Sequence, residues 1–168
     1  MHLNLCRESP HIKVGDTIAL FYTEAKSLAS IASSYIATNG ANSLYTAYYG
    51  ATSTSTIRGV FNNVASESSS SRTYTFVALF FSEVPGTNLC RGTGVASRNV
   101  RGGTTLHELT HATSGTDDVI YGCANDQALS DANQRINADN YNCFSTQGEE
   151  VAPEEPPLER QQDVKVKC

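Results

Sequence analysis

No apolar run in the 168-residue sequence approaches the length of a bilayer-spanning helix, which excludes a transmembrane helical segment. Positive charge is also short. Twelve Lys and Arg stand against seventeen Asp and Glu, and the resulting net charge of −5 argues against a nucleic-acid binder. That balance does not oppose the approach of basic polypeptides. There is no C-x-x-C pair, because Cys6, Cys90, Cys123, Cys143 and Cys168 lie far apart; this argues against a thiolate metal site. Methionine is confined to Met1, and internal repeats are absent. The first six residues contain neither an apolar core nor a cleavage pattern of the signal-peptide kind.

What is present is concentrated in residues 104–122, TTLHELTHATSGTDDVIYG. His107-Glu108-Leu109-Thr110-His111 is an H-E-x-x-H word. On a helix, residues four apart lie one above the other, so His107 and His111 can offer two imidazole nitrogens to one metal ion. Two His and one carboxylate, with a fourth position left for water, is the usual make-up of a catalytic zinc site. Glu108 is not needed to hold the ion; its work is to take a proton from the attacking water. Two surface histidines on an ordinary helix would give the same word. The Gly102-Gly103 pair before it and the carboxylate-rich turn after it favour the metal reading.

The third ligand is not fixed by the word itself. Asp126, Asp131 and Asp139 follow downstream, then Glu149 onward, without a Glu-bearing helical pattern. The long metzincin signature needs a glycine where Ser114 stands and a Met-turn that this chain cannot build. Asp117 and Asp118 remain.

The run Gly115-Thr116-Asp117-Asp118-Val119-Ile120-Tyr121-Gly122, taken with His107, Glu108 and His111, resembles the deuterolysin-like metalloendopeptidases, the aspzincins, a mostly fungal secreted group that includes peptidyl-lysine metallopeptidases. The likeness extends more weakly to Asn137-Ala138-Asp139-Asn140-Tyr141. It implies one Zn2+ per chain held by His107, His111 and Asp118, with Glu108 as general base and Tyr121 steadying the oxyanion. The turn after His111 is shorter than the family pattern, which leaves Asp117 open as an alternative to Asp118. In the lysine-specific relatives an acid at the position of Asp139 helps select a basic residue after the cut, supported by a second acid where this chain has Asn142. Asp139 is therefore read as a substrate-binding acid, as a carboxylate behind a zinc-bound histidine, or as a plain cap.

The resemblance and the cysteines together imply a secreted, extracellular, monomeric zinc endopeptidase acting on proteins or peptides, with structural disulfides of unspecified pairing. Family members are made with a signal peptide and propeptide, so a mature form or a truncated gene product is expected here. The alternative is a non-catalytic secreted module that keeps zinc only to brace its fold, although structural zinc normally has four protein ligands.

The expected fold is α+β, mostly helical, zincin-like, with a small sheet beside the H-E-x-x-H helix. A peptidase domain over 1–146 would precede an acidic, Pro-rich tail over 147–168. Helical spacing runs from Asp16 to a closing Gly40, and Tyr45, Tyr48 and Tyr49 suggest a short second helix. Ser53 or Thr54 can cap a third with Ile57, Val60, Phe61 and Val64 on one face. Residues 73–81 and 88–96 read as strands, with 89–95 as an edge for an extended substrate. A helix is expected over 126–136 with Ala128, Leu129, Ala132 and Ile136 inward.

Overall fold

Helix α1, Val14–Asn39, places an apolar residue on one face every three or four positions, and Phe21, Ala25, Leu28, Ala29, Ala32 and Ile36 are buried there. The computed structural model describes residues 14–68, 83–84 and 100–150. Asp16 lies inside α1 rather than capping it. Gly40 closes the helix at φ 62°, its N–H donating to Ile36 O.

A tight turn leads to α2, Ser43–Tyr49, whose first turn is capped by Asn42 accepting from Tyr45 N at 2.9 Å. Helix α3, Thr54–Ser66, buries Ile57, Phe61 and Val64. Ser53 stands at its N-cap position, but its hydroxyl pairs with Ser55 at 2.7 Å rather than with the helix backbone. Helix α4, Arg101–Ser114, carries the H-E-x-x-H word. It is followed by α5, Cys123–Gln127, α6, Asp131–Ile136, and α7, Ala138–Glu150.

The expected small sheet is not found. Among the described residues there is no strand, only two isolated parallel bridges, Val84 with Val100 and Asp117 with Asn137. The architecture described is helical, and the α+β expectation is corrected accordingly. The reason is visible in the packing: α4 is enclosed by α1, α3 and α7, so helices take up its buried faces. The segments 73–81 and 88–96, with the suggested substrate edge at 89–95, lie outside the described residues.

Gly102 and Gly103 let α4 come this close. A methyl group on Gly102 would meet Glu24 Cβ at 2.8 Å and Leu28 Cδ1 at 3.2 Å on α1, and one on Gly103 would collide with Asn142 on α7. Each glycine costs the helix about 1 kcal/mol in propensity, which tight interhelical packing offsets.

Behind α4, the core is organised on Phe144 of α7. Its ring touches those of Tyr35, Tyr45, Tyr48, Tyr49 and Phe61, at centroid separations of 5.2 to 6.4 Å. These tilted and edge-on contacts suit the ring quadrupoles. Helix α7 crosses the boundary drawn at 146/147, and Gln147 accepts from the Tyr48 hydroxyl at 2.6 Å.

The helix expected over 126–136 is two helices, broken at 128–130. Its inward side is polar: Asp126 and Gln134 are buried, whereas Ala128 and Ala132 are exposed. Gln134 Nε2 reaches the carbonyls of Ala47, Asp126 and Gln127, so a hydrogen-bonded amide takes the place of an apolar stripe.

Candidate metal centre

The helical repeat stacks His107 above His111 on α4, with Nε2 atoms 3.1 Å apart. Leu106, Leu109 and Thr110 anchor the same helix in the core. His107 is 2 % exposed and His111 is half-buried. Glu108, next along the helix, is half-buried.

Gly115 ends α4 in the left-handed region, φ 63° and ψ 38°, with its N–H on His111 O. This turn brings the chain back over the helix, and Thr116 O accepts from His111 Nδ1 at 2.6 Å. The proton of His111 is thereby placed on Nδ1, leaving a lone pair on Nε2. The Thr110 hydroxyl donates to His107 O at 2.7 Å, so the Thr116 hydroxyl is the donor in their 2.8 Å contact.

The returning loop sets Asp118 Oδ1 at 2.9 Å from His107 Nε2 and 3.3 Å from His111 Nε2. Asp117 is exposed and joined instead to Asn137 through its backbone. The geometry therefore brings Asp118, not its neighbour, to the histidines. Burial raises the Asp118 carboxyl, but a hydrogen bond from Tyr121 and the two imidazoles together outweigh it and hold the group below its ordinary value.

Three donor atoms thus converge with separations of 2.9 to 3.3 Å. A tetrahedral zinc with bonds of about 2.0–2.1 Å would set its ligands about 3.3 Å apart. Two imidazole nitrogens and a carboxylate crowded together in this way fit a divalent cation, and Asp118 and Tyr121 are exposed there. A second cluster, Cys123, Asp126 and Cys143, does not fit a metal, because its sulfurs are joined in a disulfide.

Tyr121 is 47 % exposed and its ring lies nearly parallel to that of His107, with centroids 5.8 Å apart. Asp139 is wholly buried, unlike a surface acid or a plain cap. It accepts from Gly122 N at 2.7 Å and Asn142 Nδ2 at 3.1 Å, and it faces His107 Nδ1 at 3.7 Å. His107, His111, Asp118, Tyr121 and Asp139 thus lie at or beside one locus, and Glu108 adjoins His107 along α4.

Two contributors escaped the sequence reading. Thr116 was noted only as part of the run, and Asn137 only as the start of a weaker likeness. Asn137 accepts on Oδ1 from Val119 N and Ile120 N, at 3.0 and 3.3 Å. The density of Asn and Asp over 137–142 was the available signal, since buried amides in such numbers need partners.

Residues 70–146 match the family model of the lysine-specific metallo-endopeptidases, the M35 aspzincins. Comparison with curated proteins and with solved structures yields no match. The family implies a zinc ion as cofactor and proteins or peptides as substrates. Residues 70–146, the stretch that contains every residue of the cluster, are thus similar to the aspzincin family of metallo-endopeptidases.

Proposed function

We propose that this chain is a secreted, monomeric zinc endopeptidase that hydrolyses internal peptide bonds, with the ion held by His107, His111 and Asp118. The observation that carries the reading is the triangle of donor atoms at 2.9, 3.1 and 3.3 Å. Zinc bound there supplies Lewis acidity, which makes water a competent nucleophile at neutral pH.

The chain's own residues do the rest. Glu108 takes the proton of the attacking water and later delivers it to the leaving amine. The Tyr121 phenol, exposed beside His107, donates to the oxygen on which negative charge develops. Thr116 O holds His111 in one tautomer. Asp139 is read as the carboxylate behind His107 rather than as an acid that meets a substrate's basic side chain. It is 0 % exposed, and its oxygens already accept from Gly122 and Asn142. The Cys123–Cys143 disulfide and the family together support an extracellular setting.

The test is Glu108→Gln, which preserves size and polarity but removes the base. Elemental analysis should find zinc retained, while cleavage of a denatured protein, read by mass spectrometry, should fall roughly 10²–10⁴-fold. Undiminished cutting by the variant would overturn the mechanism.

A further inference from the structure

We propose that Asn137 is a positioning residue for the third metal ligand, holding residues 117–120 so that Asp118 meets the two histidines before any ion arrives. This rests on the reading of His107, His111 and Asp118 as the zinc ligands.

Asp118 needs such a device. His107 and His111 are placed by a helix packed on three sides, but Asp118 lies 46 % exposed on a loop with no helix of its own. The chain is gripped on both sides of it. On one side, Asp117 N donates to Ile136 O at 2.7 Å, and Asp117 O accepts from Ala138 N at 2.9 Å, the two bonds straddling Asn137. On the other, Asn137 Oδ1 takes the N–H groups of Val119 and Ile120. Asp118 itself is outside the grip, so its carboxylate is left for the imidazoles.

The orientation of the Asn137 amide is fixed by its other end. Nδ2 donates to Asp126 Oδ1 at 3.1 Å and to Asn140 Oδ1 at 2.8 Å, both buried acceptors. A flipped amide would set its NH2 against two N–H groups and its oxygen against a carboxylate. Asparagine thus satisfies four neighbours at once from a wholly buried site. Aspartate would place like charge against Asp126, and an apolar residue would strand two loop N–H groups.

The full chain tests this in three forms: unaltered, Asn137→Ala, and Gln134→Ala. Gln134 is the matched control, a buried amide whose three carbonyl partners all lie outside 117–122. Zinc affinity is read by competition with a colorimetric chelator, well below each melting temperature. Asn137→Ala should bind zinc roughly 10–100-fold more weakly. Gln134→Ala should melt earlier with its zinc affinity little changed. Equal affinity in the unaltered and Asn137→Ala chains would overturn the positioning role while leaving the metal site intact. Absence of zinc binding by the unaltered chain would instead overturn the site and this role with it.

Should Asn137→Ala fail to fold, amide hydrogen exchange of the unaltered chain decides. Val119 and Ile120 should be protected with and without zinc. Free exchange of both in the zinc-free protein would show that the ion, not Asn137, orders the loop.

Discussion

Replacing Cys123 and Cys143 together by alanine opens a cross-link between the start of α5 and the second turn of α7. The two half-cystines are 20 residues apart in sequence, and the bridge closes a loop that contains α6, Asn137 and Asp139. In the chain-entropy treatment, a closed loop of about 20 residues restrains the unfolded ensemble by about 3 kcal/mol. Both residues also belong to the core, Cys123 at 5 % and Cys143 at 1 % exposure, and deleting each sulfur adds on the order of 1 kcal/mol. At about 2–4 °C per kcal/mol for a chain of this size, the melting midpoint should fall by roughly 10 °C or somewhat more. Calorimetry at fixed pH, with zinc in excess and with chelator, measures it. The hydrogen bonds that Asn137 and Asp139 accept from Val119, Ile120 and Gly122 do not involve the sulfurs, so zinc affinity below the midpoint should persist. A midpoint within about 2 °C of the unaltered protein would refute the entropy argument, since so small a shift equals roughly 1 kcal/mol or less. A loss of zinc binding in the folded variant would refute the separation of bridge from site.

Gly115→Ala should destabilise by about 1 kcal/mol in urea titration, because φ 63° disfavours a side chain while no atom lies within 4 Å of the added methyl. Gly115→Asn should recover part of that loss, and an alanine variant as stable as the original would contradict the left-handed cap. Alkali should unfold the protein through its buried phenols. Burial pushes Tyr45 and Tyr48 up to about 12, and it also raises Tyr49 and Tyr141 well above the ordinary phenol value. The unfolded chain releases these protons near pH 10 and the folded chain keeps them, so the phenols' contribution to stability is constant below about pH 10 and falls above it. Tyrosinate absorbance should show a late group ionising together with loss of helical circular dichroism. One common midpoint near pH 10 with the helices intact would refute the burial argument.

The metal-binding word and the helices α1 to α3 were legible in the sequence because each depends on a short period. His107 and His111 are one turn apart, and the buried residues of α1 recur every three or four positions. Helix α7 was not legible. Beside Tyr141, Cys143 and Phe144 it buries Asp139, Asn140, Asn142, Ser145 and Thr146, which break the apolar pattern that reveals a helix. The split of α5 from α6 was hidden for the same reason, since Asp126 and Gln134 point inward where alanine and leucine were expected. The sheet was inferred from β-branched runs outside the described residues, and nothing local to α4 signalled that helices would enclose it. Asp117 and Asp118 could not be separated by spacing alone. Their difference is set by Asn137, about twenty residues on.

The division of the aromatic cluster between α2 and α7 has a consequence for how the protein is made. Tyr48 and its partner Gln147 are separated by 99 residues, and the ring that joins the cluster, Phe144, leaves the ribosome almost as late. At about 5–20 residues per second, the tyrosines of α2 wait roughly 5–20 s for the surface that covers them. During that interval the nascent chain presents unsheltered tyrosine rings. Such rings are the kind of surface that holding chaperones cover, well before His107, His111 and Asp118 have come together.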